Sequence, residues 1–239
     1  NEEALLNLGD ILINLEKLDE AEIFIRKLID INPKCFHAYN NLGIILAKKR
    51  NIKEAIKYTY KAIKIKPDFA DAFYNLGNIY KGLKKFKEAL KYTQESIKNK
   101  PNFAEGYNQL ATILMEEKNF KDAEIFIIKA IEIKPDFAEA FSNLGLILKA
   151  LGKIKEAENA LKKAIKIKPD LSEGYSNLAV ILQDLGKLIE AELTLKKAIK
   201  INPNVANFYF NLGNILLALG KLKEAEIATN RSIKLDPNF

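Results

Sequence analysis

All seven prolines of this 239-residue chain fall exactly one period of 34 residues apart, from Pro33 to Pro237. A fixed period of this length indicates an array of short structural units, none of which can bury its apolar face alone. The period predicts one continuous domain over residues 1–239 without internal linkers. Its seven repeats are residues 2–35, 36–69, 70–103, 104–137, 138–171, 172–205 and 206–239.

Each repeat is predicted to be a pair of helices. In residues 138–171, Phe141 and Leu148 lie at the spacing of one helix face, and Ala157 and Leu161 lie at such a spacing on a second helix. The second helix must stop near the proline, which removes a hydrogen-bond donor and forces the preceding residue out of the helical region. The sequence therefore predicts seven helical hairpins.

Several positions carry the same residue type in every repeat. An aromatic residue, replaced once by leucine, opens each first helix at Leu5, Tyr39, Phe73, Tyr107, Phe141, Tyr175 and Tyr209. Three residues later comes Leu8, Leu42, Leu76, Leu110, Leu144, Leu178 or Leu212, followed by glycine or alanine. Each second helix has an alanine, at Ala21, Ala55, Ala89, Ala123, Ala157, Ala191 and Ala225.

This pattern resembles the tetratricopeptide repeat (TPR) family, and the resemblance covers residues 2 to 239. It implies an all-α fold, a right-handed α-solenoid (superhelix) of seven 34-residue TPR helical hairpins. The small glycine and alanine residues are expected where two helices approach closely.

Helix starts and hairpin corners give two further expectations. The residue after most prolines is Asp or Asn, as at Asp68, and we expect it to cap the next first helix together with an acid three places on, such as Asp71. The corner is glycine in the last three repeats but a longer residue in the first four: Glu16, Arg50, Lys84 and Lys118. A left-handed corner would strain such residues unless the turn differs.

One second-helix position changes at the same point of the chain. It holds Phe24, Tyr58, Tyr92 and Phe126 in the first four repeats, then Ala160, Thr194 and Ala228. Together with the change at the corners, this predicts that the geometry between successive repeats changes between repeats four and five.

The candidate binding residues are amides on the first helices. Asparagine is a mediocre helix former, so its recurrence at one mid-helix position calls for a reason. Amides can pair with the backbone of an extended peptide whatever its side chains, but they could equally bind water or brace the neighbouring repeat. The row, with two further residues one turn on, comprises Asn7, Asn41, Asn75, Gln109, Asn143, Asn177, Asn211, Asn78 and Asn214.

The row is similar to the asparagine ladder of the O-linked N-acetylglucosamine transferases, in which TPR first helices line a concave groove that holds peptide backbones. The resemblance favours a non-catalytic scaffold that binds a protein or peptide in such a groove. An alternative is the substrate-recognition segment of a larger glycosyltransferase-like enzyme. A carboxylate clamp is not expected, because the position before each amide holds no lysine.

The net charge of +7 raises nucleic acid as a second alternative ligand, since lysines concentrate on the second helices, which a TPR array places on its convex surface. The chain has few arginines, and we expect a solvated surface there, with no membrane contact. A single cysteine, Cys35, and an N-terminus without a signal sequence suggest the cytoplasm. The last repeat lacks a polar capping helix, which predicts possible end-to-end self-stacking.

No residue pattern predicts an active site, a cofactor or a metal. Cys35 and the lone histidine His37 are two positions apart, and side chains at that spacing do not face each other on a helix. Zinc would need further Cys or His ligands, which the sequence lacks. We therefore do not expect an enzyme.

Overall fold

The computed structural model describes residues 1–237, and over these residues it consists of fourteen α-helices and no strand. The helices alternate between first and second members of the predicted repeats. Their bounds are α1 Glu2–Asn14, α2 Leu18–Ile31, α3 Phe36–Lys48, α4 Ile52–Ile65, α5 Ala70–Gly82, α6 Phe86–Asn99, α7 Ala104–Glu116, α8 Phe120–Ile133, α9 Ala138–Ala150, α10 Ile154–Ile167, α11 Ser172–Asp184, α12 Leu188–Ile201, α13 Ala206–Ala218 and α14 Leu222–Leu235.

The helices group into two compact units, Asn1–Glu117 with α1 to α7 and Lys118–Phe239 with α8 to α14. In the first unit, α1 packs on α2, α3 on α4 and α5 on α6, and each pair contacts the next. In the second unit, α9 packs on α10, α11 on α12 and α13 on α14. First helices also contact one another: α1 contacts α3, α3 contacts α5 and α5 contacts α7 in the first unit, and α9 contacts α11 and α11 contacts α13 in the second. The predicted helical hairpins are confirmed, whereas a single domain over the whole chain stays a prediction.

Each unit is held together by apolar side chains between its helices. In the first unit, Leu28, Leu42 and Ile45 are fully buried in one cluster. In the second unit, Leu161 and Leu195 are fully buried in another cluster. Burial of each such side chain stabilises the fold by roughly 1.5–3 kcal/mol. The apolar helix faces predicted from the sequence therefore account for the packing of the hairpins.

The small residues lie where the helices approach each other, as expected. The seven second-helix alanines are at most 1% exposed. At Gly145, an added Cβ would lie 2.5 Å from Cγ of Leu161, which leaves no room for a larger side chain without movement. Close helix approach is therefore the reason for the small residues at both positions.

The second helices end just before the prolines. Helix α4 ends at Ile65, and the next residue, Lys66, is extended with φ −128° and ψ 93°, the conformation that Pro67 imposes on its predecessor. The prediction from the prolines is therefore confirmed.

The predicted capping of the first helices is wrong. Helix α5 begins at Ala70, so its N-cap is Phe69 and not Asp68, and no side-chain oxygen caps the helix. The same holds for α7 and α9, which follow Phe103 and Phe137. These aromatic side chains are buried, and their packing sets the start of the helix one residue later than the polar pattern suggests.

The hairpin corners share one conformation whatever their residue. Glu16, Arg50, Lys84 and Lys118 have φ between 57° and 62°, and the three corner glycines, Gly152, Gly186 and Gly220, have φ between 73° and 78°. The turn therefore does not differ in the first four repeats, and the longer residues take the left-handed conformation. A change of geometry between repeats four and five stays a prediction.

Candidate functional site

The amide row lies on the first helices, at one position in each repeat. Asn7, Asn41, Asn75 and Gln109 belong to α1, α3, α5 and α7 of the first unit, and Asn143, Asn177 and Asn211 to α9, α11 and α13 of the second. Consecutive first helices contact one another within each unit, which brings successive amides onto neighbouring helices.

In the second unit, the amides donate hydrogen bonds to the preceding repeat. Asn177 Nδ2 donates to Ser142 Oγ at 3.2 Å, and Asn211 Nδ2 donates to Ser176 Oγ at 3.5 Å. Each acceptor lies one position before the amide of its own repeat. The amides therefore brace neighbouring first helices, one of the three roles that the sequence left open.

The same connection recurs in the first unit with other acceptors. Asn75 Nδ2 donates to Asn40 Oδ1 at 2.8 Å. Asn41 Nδ2 donates to Asp10 Oδ1 at 2.6 Å, and Asn41 is buried. Asn7, in the first repeat, is exposed. Bracing and binding are compatible for the half-buried members, because an amide has two N–H groups and an oxygen and each of these bonds uses one N–H group.

Gln109 differs from the rest of the row because it is 2% exposed. Its Nε2 donates to the Tyr74 carbonyl oxygen at 3.1 Å, and its Oε1 accepts from Thr93 Oγ1 at 2.9 Å. The longer side chain reaches into the packing of α5 and α6 beside Gly77. Gln109 therefore has a packing role here, and its amide does not face solvent.

An open groove in the second unit contains two members of the row. This α9–α11 groove has a volume of about 430 Å³ and is lined by Glu139, Ser142, Asn143, Leu146, Leu171, Glu173 and Asn177. Leu146 and Leu171 supply apolar surface, and the other lining residues are polar or acidic. Lys168 does not line the groove, but its Nζ lies 2.8 Å from Glu139 Oε1 and forms an ion pair with it. Burial opposes ionisation of Glu139, but this ammonium and the backbone hydrogen bond outweigh it and lower the pKa of the carboxyl.

The two further candidates lie one turn along their helices. Asn78 lines a separate open cavity of about 470 Å³ in the first unit, together with Lys48, Ile79 and Leu83 among others. Asn214, on α13, is half-buried. The acceptors Asn40, Ser142 and Ser176 are not among the residues predicted from the sequence. Their regular offset of 35 residues from the next amide is the signal that could have found them.

Many lysines of the second helices are already paired with carboxylates. Glu158, which is buried, accepts from Lys162 at 2.6 Å and Lys187 at 3.0 Å. Glu192 is paired in the same way with Lys196 and Lys221. The hydrogen bonds from these lysines lower the pKa of both carboxyls. Each of these carboxylates therefore ties its own helix to the next repeat.

The histidine near the start of α3, His37, packs against aromatic rings. The His37 ring lies 4.1 Å from the Phe36 ring and 5.1 Å from the Phe69 ring, centroid to centroid. Burial, and then the Lys66 charge, lower the pKa of His37. Within residues 1–237, no group of three or more His, Cys, Asp or Glu side chains could hold a metal ion. No helix of that part of the chain is long and apolar enough to cross a bilayer.

Repeated helix pairs with these recurring residues define a TPR protein. The family model of the cilia and flagella-associated protein 70 C-terminal domain matches residues 1–236. The chain therefore belongs to this TPR family. A comparison with curated protein sequences found no match.

Solved structures share the fold at low sequence identity. A chain of the APC/C hetero-tetramer Cut9–Hcn1 matches with a TM-score of 0.88 and 17% identity over 97% of this chain, which spans 46% of that chain. PilF of Pseudomonas aeruginosa matches with a TM-score of 0.74 and 19% identity, over 85% of this chain and 93% of that one. YrrB, described as a TPR protein with an unusual peptide-binding site, matches with a TM-score of 0.58 and 23% identity, over 83% of this chain and 98% of that one.

Proposed function

We propose that this chain is a non-catalytic scaffold that binds an extended protein or peptide segment along the exposed faces of its first helices. The observation that carries the proposal is the α9–α11 groove, in which Asn143 and Asn177 line one open cavity. The TPR fold, and the peptide-binding site named for YrrB, support a protein or peptide as the ligand.

Asn177 has the atoms that a peptide backbone needs. One of its N–H groups donates to Ser142 Oγ of the preceding repeat, and this hydrogen bond orients the amide. The second N–H group and the oxygen can then pair with a carbonyl and an N–H group of an extended segment. Orientation before binding reduces the entropy that the amide loses when the ligand arrives.

The composition of the groove favours a particular kind of segment. Glu139 and Glu173 line it, and because Lys168 is paired with Glu139, Glu173 supplies most of its negative charge. Leu146 and Leu171 supply apolar surface in the same groove. The groove therefore favours a segment that combines an apolar side chain with a neutral or basic neighbour, because an acidic segment would be repelled.

A peptide-display experiment tests this proposal. A library of random 12-residue peptides is selected on the wild-type chain, and the affinity of enriched peptides is measured for the Asn143→Ala/Asn177→Ala variant. We expect affinity to fall about 10-fold or more, because each lost hydrogen bond contributes roughly 0.5–1.5 kcal/mol.

The matched control is Asn159→Ala, which removes an exposed asparagine from α10 of the same unit. It should leave peptide affinity unchanged, and circular dichroism should show that all variants are folded. Peptides that bind the wild type and the double variant equally well would contradict a role for the amide row.

The glycosyltransferase-like alternative is supported by the resemblance of the amide row. A cytoplasmic location is supported by the single cysteine, and the name of the matching family adds cilia and flagella as a setting. End-to-end self-stacking stays a prediction.

A further inference from the structure

A third cavity lies among α12, α13 and α14, and no member of the amide row lines it. This α12–α14 pocket has a volume of about 550 Å³. Its lining residues come from three consecutive helices of the second unit. They are Glu192, Lys196, Tyr209, Leu212, Leu216, Lys221, Glu224, Ile227, Ala228 and Arg231.

The same place in the first unit holds a smaller cavity of about 240 Å³. It lies five repeats earlier, so its residues correspond to those of the α12–α14 pocket at a constant offset of 170 positions. The corresponding pairs are Arg26 with Lys196, Tyr39 with Tyr209, Leu42 with Leu212, Tyr58 with Ala228 and Lys61 with Arg231.

In the first unit, an aromatic ring of the chain itself occupies this place. The Tyr58 ring is stacked on the Tyr39 ring, with centroids 6.3 Å apart and planes 10° apart. The Arg26 guanidinium lies 5.8 Å from the Tyr58 centroid, within reach of a cation–π contact. The first unit thus shows what this site accommodates: an aromatic ring between a tyrosine and a cation.

In the second unit, the walls remain but the ring is absent. Tyr209 is present, with the Arg231 guanidinium 5.8 Å from its ring centroid. Ala228 offers only a methyl group where Tyr58 has its ring. Beside it, Ile227 is 70% exposed. An apolar recess with an exposed aliphatic side chain at its edge favours an apolar guest.

The rim of the pocket adds a preference for negative charge. Lys196 and Lys221 lie 2.6 Å and 2.7 Å from oxygens of the same carboxylate, Glu192, which is 6% exposed. Arg231 lies beside them, and Glu224 is the second acid of the lining. The lining therefore contains three basic and two acidic side chains, and one of the acids, Glu192, is already paired with two of the lysines.

We propose that the α12–α14 pocket receives a phenylalanine or tyrosine side chain from a partner protein, in a segment with an aspartate or glutamate next to the aromatic residue. The ring takes the place that Tyr58 occupies in the first unit and stacks on Tyr209. The neighbouring carboxylate meets the Arg231 guanidinium at the rim of the pocket, because Lys196 and Lys221 are already paired with Glu192. This pocket shares no lining residue with the α9–α11 groove, so a failure of this proposal would not contradict the proposed function, nor the reverse.

The test uses short capped peptides and methyl NMR of the full chain. The probe is acetyl-Asp-Phe-Asp-amide, and the comparison peptides replace Phe by Leu or both Asp residues by Lys. We expect the probe to shift the Ile227 and Leu216 methyl signals saturably, with a dissociation constant of about 1 mM, as suits so small a ligand. Each comparison peptide should bind about fivefold more weakly or worse.

Two variants exchange the features of the two sites. Ala228→Tyr should fill the pocket, abolish the probe's shifts and leave the chain folded. Tyr58→Ala should open the first-unit site and add a second saturable site, reported by the Leu42 methyl signals. If Ala228→Tyr does not fold, the Tyr58→Ala result decides. Absence of any probe shift in the wild type, equal shifts in Ala228→Tyr, or no second site in Tyr58→Ala would overturn the proposal.

Discussion

Four hairpin corners hold residues that are poorly suited to their backbone conformation. At Lys84, φ is 57°, in the left-handed region that favours glycine. Glycine stands at the same corner in the last three repeats, and around Gly152 an added Cβ would meet nothing within 4 Å. The corner therefore has room for a side chain, and what opposes a residue other than glycine there is backbone strain.

We expect Lys84→Gly to raise the free energy of unfolding by about 0.5–1 kcal/mol. Relief of roughly 1–2 kcal/mol of left-handed strain exceeds the extra entropy that glycine loses on folding, about 0.5–1 kcal/mol. Urea denaturation measures the change.

The control for this prediction is Gln94→Gly, at an exposed position inside α6. It should lower stability by about 1 kcal/mol, the usual cost of glycine in a helix interior. A loss of stability in Lys84→Gly similar to that of the control would show that the corner is not strained.

At the scale of helices, buried carboxylates connect one repeat to the next. Glu158 and Glu192 each accept from a lysine on their own helix and from one at the start of the next repeat's second helix. The Lys162 and Lys196 hydrogen bonds are the largest cause of the lowered pKa of the two carboxyls, followed by Lys187 and Lys221.

These lowered pKa values predict a loss of stability in acid. Because the folded-state pKa lies below the unfolded value of about 4.3, the stabilisation is complete above that pH and is lost as the pH falls through the folded-state pKa. We expect Glu158→Gln/Glu192→Gln to unfold at lower urea than the wild type at pH 7, with a difference that shrinks at pH 3.

An exposed carboxylate on α12 provides the matched control. Glu190→Gln should change the urea midpoint little at either pH. A double variant whose deficit is the same at pH 7 and pH 3 would mean that these ion pairs do not account for the acid sensitivity.

At the scale of the whole molecule, a net charge of +7 does not mean that all the lysines are available to a ligand, because many of them are paired with carboxylates. In the second unit, Lys153 pairs with Glu124 and Lys168 with Glu139, besides the four lysines on Glu158 and Glu192. A phosphate would have to compete with these carboxylates for the same ammonium groups.

We therefore expect weak binding of nucleic acid. Fluorescence anisotropy with a labelled 20-nucleotide strand should give a dissociation constant weaker than about 10⁻⁴ M at physiological salt. The Glu158→Gln/Glu192→Gln variant releases four lysines and should bind more tightly. Micromolar binding by the wild type, falling steeply with salt, would instead favour the nucleic-acid alternative.

The sequence predicted the helices well and the use of the amides less well. The apolar helix faces that include Leu42 and Leu161 were predicted correctly, because burial of such side chains depends mainly on a period that is visible in the sequence. The helix start at Ala70 was misplaced, because burial of Phe69 outweighed the capping that Asp68 could offer. Likewise, the sequence could not show that Gln109 enters the packing of α5 and α6 while Asn177 stays half-exposed.

By itself, then, the sequence determined the repeat, the number of hairpins and the small residues at their contacts. A 34-residue unit with two apolar stripes can bury them only against its own partner helix and its neighbours. Tertiary structure alone decided which amide atoms and which recesses remain open. These depend on distances between residues of different repeats, such as Asn177 and Ser142, and on whether a ring like that of Tyr58 fills the space between three helices.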